Sequence, residues 1–517
     1  EEQGLLHKEK DFYRDSGKAC LLCYREDIEM IMRTPGMGGF QILSLADIHT
    51  DGTAIDGILN AFMENKGMVS AEEWRRYCSD RVVLLRIGKF TFDSGEQAGF
   101  KMQFANYGPE TIDQAKPYFE LYHQDNCLER REFDLISLPQ GDLTDLASPT
   151  VTFQCDEPAQ LVLRVGVEDL ADQKTYYNDY NIWVYPVPEI QHTMLATKSA
   201  EEAAAALENG ESVLFYSGLL DSEKSVEGFF ATNFWSYDMF ATASENISET
   251  RPGKPMIGAM LAPGTMGISY DPNHPVFRYF PGEGHSDYQW FNVIMNGNPV
   301  ILDHFAEPVE PIVWTIDTPH RCHRLGLLFE LKVGKGKVMV CTTDLSQFAG
   351  EAAEESLLKG IFEYMASDEF QPQAECGLEE FKSFLRGNDS GKKNSVHYRR
   401  GKGHWLWDCQ DVGGRGLRPH FAQPHFGAGN RKISEFGSDK RPEGPPGAGR
   451  FIQRSGSGTD IPPDIRFDAG AEPGCQQFRA NDLQAVFSDY TSGFRPGNRA
   501  GLAGQLFCYP ICRQIDG

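Results

Sequence analysis

The sequence predicts a multidomain protein in which α/β and all-β regions follow one another along the chain. Three patterns of apolar residues indicate this: helix–strand–helix over residues 1–80, alternating short strands over 81–187, and alternating helices and strands over 188–372. Residues 373–517 are rich in Gly, Pro and Arg and predict a tail of low order. We expect the end of a (β/α)8 barrel, an immunoglobulin-like β-sandwich, a doubly wound α/β domain and an irregular tail.

The predicted barrel end contains a helix, a strand, a polar loop and two further helices. Helical spacing over 11–32 ends at a Thr-Pro-Gly stop, and a short strand bounded by glycines follows at 38–45. Helical spacing returns over 53–65, and residues 70–73 have the pattern of a capping box.

Asp47 and His49 lie in the polar loop between the predicted strand and the next helix. A strand, a loop with such side chains and a covering helix make up the repeating unit of a (β/α)8 barrel, in which these loops face the active site. An open α/β sheet contains the same order of elements, and spacing does not separate the two.

The two middle regions differ in period. Over 81–187, short strands alternate apolar and polar residues between turn signals, which predicts an immunoglobulin-like sandwich. Over 188–372, a helix at 199–208 precedes a strand at 212–216, and two later strands are joined by a Gly-Lys-Gly turn. The region has no phosphate-binding glycine loop and no nucleophile elbow, so we expect a binding or structural module.

The overall charge limits the partners of the chain. Its 517 residues carry a net charge of −25 with a pI near 5.0, which disfavours nucleic acid as a partner. No run of about 18 uncharged apolar residues occurs, so we expect no membrane span.

The tail departs from this balance, because residues 391–517 carry an excess of Arg over acidic residues. One interpretation is a disordered, weakly basic arm. A second is that the tail is not the natural continuation of the coding frame. A nucleic-acid-binding arm is the least favoured, since its arginines are scattered along the tail.

The cysteine and histidine patterns do not predict a metal site. Cys20 and Cys23 form a lone C-x-x-C within a predicted helix, and no second pair stands at zinc-ribbon spacing. His320, Cys322 and His323 offer three ligands without an evident fourth. We expect neither a metal nor another cofactor.

Several motifs occur in an order that resembles a known family. They are residues 23–43, 51–63, Lys66-Gly67, the Asn-Ile-Trp-Val-Tyr-Pro segment at 181–186, His274-Pro275, Gln289-Trp290 and 324–330. Together they resemble the C-terminal part of bacterial glycoside hydrolases of the β-galactosidase-like clan, the relatives of family 2. The resemblance covers roughly residues 5–372, and its last part resembles the flavodoxin-like or amidotransferase-like α/β domain of that group.

The resemblance implies a retaining glycosidase that hydrolyses O-glycosidic bonds in an oligosaccharide or polysaccharide. Such an enzyme uses two carboxyl groups about 5–5.5 Å apart. In this clan both belong to glutamates on earlier barrel strands, so we expect the catalytic pair upstream of residue 1 and this chain to be an inactive fragment. A periplasmic or secreted location would also follow from the resemblance.

The resemblance makes Asp47 and His49 the candidate substrate-binding residues, because they follow the last barrel strand. The alternative is that both only cap the next helix. Glu26 and Glu29 also form a carboxylate pair, but we expect them on a solvated helix face. Relatives have Phe-Pro-Gly-Gln where this chain has residues 48–51, so the sugar is not specified.

A second hypothesis remains open from the sequence. The chain could be a non-catalytic carbohydrate-binding or scaffold protein made of a sandwich and an α/β module.

Overall fold

The computed structural model describes residues 4–37, 39–42, 45–48, 57–190, 192–218, 220, 223–226, 265–318, 321–385, 397–401 and 404–408. These fall into two compact units. The first includes Glu1–Asn388, and the second is Asp389–Gln477.

Six α-helices are described, all in the first unit: α1 Glu9–Met32, α2 Ala71–Tyr77, α3 Ala200–Glu208, α4 Phe291–Met295, α5 Ala352–Ala366 and α6 Leu378–Leu385. The strands of the β region are β1 Arg81–Arg86, β2 Thr91–Asp93, β3 Gln97–Gly99, β4 Lys101–Asn106, β5 Ile112–His123, β6 Asn126–Glu132, β7 Ile136–Leu138, β8 Asp142–Ala147, β9 Thr150–Thr152, β10 Ala159–Asp169 and β11 Lys174–Tyr185. Those that follow are β12 Leu195–Thr197, β13 Ser212–Tyr216, β14 Ile268–Tyr270, β15 Val300–Ile301, β16 Val313–Thr315, β17 Leu325–Val333, β18 Gly336–Cys341, β19 Glu375–Cys376, β20 His397–Gly401 and β21 His404–Asp408.

Two of the helices predicted in the first 80 residues are confirmed. The long helix α1 ends at Met32, as the Thr-Pro-Gly stop predicts, and Gly36 adopts a positive φ in the turn that follows, in which the Met37 amide donates to the Thr34 carbonyl oxygen. At the start of α2, the Ser70 hydroxyl accepts from the Glu73 amide while the Glu73 carboxylate accepts from the Ser70 amide. This reciprocal pair is the predicted capping box.

The predicted barrel unit between these helices is not formed. Residues 39–42 and 45 are not in a strand, and residues 57–65 make isolated bridges and turns where a helix is predicted. The Asn60 side-chain oxygen accepts from the amides of Phe62 and Glu64, and such local bonds compete with helical ones. No closed barrel is present in the described part of the chain.

The second region is a sandwich of two principal β-sheets around one core. One sheet has the order β1-β4-β8, and the other has the order β2-β11-β10-β5-β6, with β7 paired to β5. Alternate side chains of β1, β4, β5, β10 and β11 point between the sheets, as the two-residue period predicts, and Phe104, Phe119 and Leu163 there are fully buried.

The third region, predicted as a doubly wound α/β domain, has helices on both faces of one mixed sheet. Its order is β12-β13-β18-β17-β16-β14. Strands β12, β13 and β18 are parallel, whereas β17 pairs antiparallel with β18. The tight Gly-Lys-Gly turn forces this reversal, because parallel strands need a long crossover.

The helices of this region cover opposite faces of the sheet. Helices α3 and α6 pack on the face carrying Phe215 and Val340, while α5 packs on the face carrying Leu214 and Met339. Strand β19 and helix α6 lie beyond residue 372, so the folded region extends further than the predicted start of the tail. In the second unit, β20 and β21 form an antiparallel hairpin.

Candidate functional site

Helix α1, which carries part of the glycosidase-like motif, is held against the sandwich by a buried carboxylate. Glu29 is fully buried, and its two oxygens accept from Arg25 Nε at 2.7 Å and from the Tyr180 hydroxyl at 2.9 Å. Arg33 lies 3.5 Å from the same carboxylate and donates to the Leu85 carbonyl oxygen at 2.7 Å. A buried charge is tolerated when it is paired and hydrogen-bonded in this way.

The same helix is also bonded to the α/β region. Asp15 is fully buried and accepts from the Ser269 hydroxyl at 2.6 Å and from Arg14 Nε at 2.7 Å. Glu26 accepts a hydrogen bond from the Tyr288 hydroxyl. Helix α1 is therefore bonded to the sandwich through Glu29 and to the α/β region through Asp15 and Glu26.

The expectation that Glu26 and Glu29 lie on a solvated helix face is wrong for Glu29. Its neighbours are two guanidinium groups and a tyrosine hydroxyl, and no open space surrounds it. Buried and paired in this way, the carboxylate is closed off from a substrate and is not free to act as an acid or a nucleophile.

The predicted substrate-binding loop is described at Asp47. Its Oδ1 accepts from Lys66 Nζ at 2.7 Å and from the Gly57 amide at 3.0 Å, and the carboxylate remains partly accessible. The Asp47 amide donates to the Leu59 carbonyl oxygen at 3.0 Å, which closes the loop. His49 lies outside the described residues.

Asp47 does not cap a helix in the described part of this loop, because residues 57–65 are not helical. Its surroundings are instead those of a small polar site. Tyr13 of α1 is near enough that burial, and then the Asp47 carboxylate, raise the pKa of its hydroxyl. Within the described residues, neither Asp47 Oδ2 nor the half-exposed Tyr13 hydroxyl has a hydrogen-bond partner.

A second concave site, which sequence reasoning missed, lies at the carboxyl ends of β12 and β13. We call it the carboxyl-edge pocket; its volume is about 410 Å3, and it is lined by His192, Ala196, Thr197, Lys198, Ser199, Tyr216, Ser346, Leu358 and Phe362. Ligands of α/β sheets commonly bind outside the carboxyl ends of parallel strands. The strand at 212–216 was predicted, but only the parallel pairing of β12 with β13 shows that their ends meet.

The charged groups at this pocket neutralise each other. Lys198 forms an ion pair with Asp344, which also accepts from the Ser346 hydroxyl at 2.6 Å. Burial raises the pKa of Asp344, but the hydrogen bonds from the Lys198 ammonium and Ser346 lower it by a larger amount, so the net shift is downward. The carboxylate is therefore ionised at neutral pH.

The metal-ligand candidates near residue 320 do not converge. His323 Nδ1 pairs with Asp303 at 2.7 Å, and His320 lies outside the described residues. In the part of the chain that the structure describes, no three His, Cys, Asp or Glu side chains form a group able to hold a metal ion. In the same residues, no helix combines the length and apolar character that crossing a bilayer requires.

Comparison with known families gives two matches, both to domains of unknown function. Residues 96–186 match the family described as domain of unknown function DUF8488, and residues 194–386 match the one described as DUF8487. The first range ends with β11, and the second extends from just before β12 to the end of α6. No curated protein matches the sequence.

Solved structures with a similar part include a CARDB domain from Pyrococcus furiosus, at 12% identity over 20% of this chain and 92% of that chain, with a TM-score of 0.16. A Parabacteroides merdae β-glucuronidase matches at 12% identity over 26% of this chain and 21% of its own, with a TM-score of 0.16. A Paenibacillus cycloisomaltooligosaccharide glucanotransferase matches at 12% identity over 26% and 20%, also at 0.16. The chain thus spans about a fifth of the length of these two enzymes.

Proposed function

We propose that this chain is a part of a retaining glycoside hydrolase of the β-galactosidase-like type, and that its described segments hold a sugar-binding wall. The observation that carries the proposal is the position of α1. The helix with the glycosidase-like motif is fixed to both following regions by Glu29 and Asp15. The loop of Asp47 therefore follows a helix held by two folded regions.

The bonding of the carboxylates supports a binding role over a cleaving one. Retaining cleavage needs one carboxyl that can exchange a proton and one free to attack. Asp15, Glu29 and Asp47 are each engaged by a cation, and the first two are buried. Asp47 Oδ2 remains able to accept from a sugar hydroxyl, and the Tyr13 hydroxyl can accept or donate beside it.

The strand order supports the immunoglobulin-like assignment of the sandwich. Three strands, β1-β4-β8, face a sheet in which β11, β10 and β5 are neighbours, and immunoglobulin-like domains divide their strands in this manner. In this proposal the sandwich and the α/β region serve as supports. His49, in the same loop as Asp47, is the second proposed contact to the sugar.

Titration calorimetry with β-linked oligosaccharides tests the proposal. We expect Asp47→Asn, which keeps the side-chain shape but loses the charge, to weaken binding roughly tenfold, as loss of a charged hydrogen bond does. Asp172→Asn is the matched control, because the Asp172 side chain is exposed and, among the described residues, forms an ion pair with Lys174 alone. Circular dichroism of each variant checks that it folds.

Enzyme assays complete this test. We expect no hydrolysis of aryl β-glycosides by this chain. Hydrolysis that is present in the wild type and lost in Asp47→Ala would overturn the proposal, since Asp47 would then be catalytic.

The scaffold or carbohydrate-binding alternative is favoured by the same engagement of carboxylates in structural bonds. The coding sequence before the codon for Glu1 separates the two functions. Further β/α units in that frame favour the hydrolase, and a start codon directly before Glu1 favours the scaffold.

A further inference from the structure

We propose that the carboxyl-edge pocket of the α/β region binds a neutral saccharide unit. This site is separate from Asp47, and the proposal does not depend on the function proposed above. It rests on a hydroxyl in the lining that has no protein partner in the described part of the chain, on the charge balance at the rim and on the apolar wall of the pocket.

The Tyr216 hydroxyl is the first observation. The residue is only 5% exposed and lines the pocket, yet its hydroxyl has no hydrogen-bond partner in the described part of the chain. The hydroxyl itself is not closed off from solvent, so a ligand in the pocket can replace water as its hydrogen-bond partner. Burial, and then the nearby Cys341 and Asp344, raise the pKa of Tyr216, so it stays a neutral group that donates and accepts.

The charges around the pocket select against ions. Lys198 and Asp344 cancel each other at the rim. The start of α3 would attract an anion, but Glu201 and Glu202 occupy its first turn, and Glu202 accepts from the Thr197 hydroxyl at 2.6 Å. These carboxylates are hydrogen-bonded to the lining residues Thr197 and Ser199, so they would repel a phosphate or carboxylate in the pocket but not a neutral ligand.

The donors and acceptors match a polyhydroxylated molecule. Each sugar hydroxyl can both donate and accept. In the lining, the Lys198 ammonium can donate and the Tyr216 hydroxyl can do either, while the Thr197 and Ser346 hydroxyls already donate to Glu202 and Asp344 and can still accept. The opposite wall is apolar: Leu358 and Phe362 belong to α5, and the His192 ring stacks on Phe362 with centroids 3.7 Å apart. Such a wall suits the C–H face of a sugar ring, and the pocket volume is that of an ordinary small-molecule site.

Calorimetric titration of the whole chain with neutral monosaccharides and disaccharides, and with inorganic phosphate, tests the inference. We expect saccharide binding that Tyr216→Phe, which removes one hydroxyl, weakens about 3- to 10-fold. Ser346→Trp fills the pocket and should abolish binding. Tyr122→Phe, which removes a hydroxyl bonded to Glu120 on the sandwich, is the control and should bind as the wild type does.

Three results would overturn the inference: no saccharide binding by the wild type, binding unaffected by both Tyr216→Phe and Ser346→Trp, or phosphate binding that exceeds saccharide binding. Asp47→Asn separates the two sites. We expect that variant to keep the affinity of the carboxyl-edge pocket, so either site can fail in the experiments without the other.

Discussion

At the scale of single residues, buried carboxylates fix the position of α1. The Arg25 guanidinium lies 4.3 Å from the centre of the Tyr180 ring while it donates to Glu29, so one cation stabilises both the carboxylate and the aromatic face. A charge in this position is favourable only with all its partners in place. The helix is therefore held in one register against the sandwich.

Removing the Glu29 carboxylate should loosen this helix. We expect Glu29→Ala to lower the free energy of opening α1 by about 3 kcal/mol, because Arg25, which is largely shielded from solvent, loses its carboxylate partner and Arg33 keeps only its pair with Glu26. Native-state hydrogen exchange of the α1 amides measures this opening. Glu72→Ala, at an exposed ion pair with Arg76, should change exchange by no more than about 0.5 kcal/mol; equal effects of the two changes would contradict the role of Glu29.

Asp47 shows the limit of residue-level reasoning. Its place in a polar loop after an apolar stretch was evident from the sequence. That Lys66 would pair with it was not evident, because the contact joins residues 19 positions apart through a loop with no regular period.

At the scale of elements, α5 depends on a close approach that needs glycine. A Cβ added to Gly360 would lie 2.1 Å from the Val276 carbonyl oxygen, which belongs to the short 3-10 helix Pro275–Phe277. The backbone of α5 thus touches another backbone, and the atom in the way cannot rotate aside.

Gly360→Ala should consequently destabilise the α/β region despite the higher helix propensity of alanine. Forcing an extra methyl group into a packed site typically destabilises a protein by about 1–3 kcal/mol, whereas the higher helix propensity of alanine stabilises it by at most ~1 kcal/mol. The midpoint of chemical denaturation, followed by tryptophan fluorescence, should fall. Gly88→Ala is the matched control, since a Cβ there meets nothing within 4 Å, and it should leave the midpoint nearly unchanged; a midpoint that rises in Gly360→Ala would refute this account.

Element prediction succeeded where local signals agree and failed where side chains compete with the backbone. Helix α2 was predicted from its capping box, and β17–β18 from the glycine turn. The helix expected over 53–65 has the right apolar spacing, yet Asn60 captures the amides that a helix would use. The spacing of apolar residues indicates which side chains can be buried. It does not show whether a side chain such as Asn60 will bond the backbone amides that a helix needs.

At the scale of the whole molecule, the sandwich and the α/β region share a core. Trp183 and Tyr185 of β11 lie in the same buried cluster as Leu357 and Ile361 of α5. Polar bonds cross the same boundary: Gln160 donates to Glu283 at 3.1 Å, and the Tyr185 hydroxyl donates to Gln289. The two regions are therefore expected to unfold together.

This boundary should make stability depend on pH. Burial raises the pKa of Asp287 from 3.8 to about 7, so the native state binds a proton that the unfolded chain does not bind between about pH 4 and 7. Stability contributed by Asp287 is present at low pH and is lost as the pH rises through 7. We expect the thermal midpoint to fall over this range, and Asp287→Asn to reduce that fall.

The titratable neighbours of Asp287 do not cancel this effect: His285 also makes the protein less stable as the pH rises, and Glu283 titrates below this pH range. Burial lowers the pKa of His285, but the Glu283 carboxylate raises it by a larger amount, so the net shift is upward. The stability that His285 contributes is therefore also lost as the pH rises. The pairing with His285 lowers the pKa of Glu283 to about 2. Asp125→Asn, in the exposed β5–β6 turn, is the control and should keep the wild-type pH dependence. An Asp287→Asn variant with the full wild-type fall would show that Asp287 is not the source.

The sequence by itself determined the multidomain order of α/β and β regions, the C-terminal end of α1, the capping box of α2 and the alternating core of the sandwich, because each depends on periodicity or on contacts within a few residues. Only the tertiary structure decided that α1 joins two regions through Glu29 and Asp15, and that a pocket forms where α5 meets the ends of β12 and β13. The bonds of Glu29 and Asp15 join residues more than a hundred positions apart, and no local pattern in the chain encodes such a pairing.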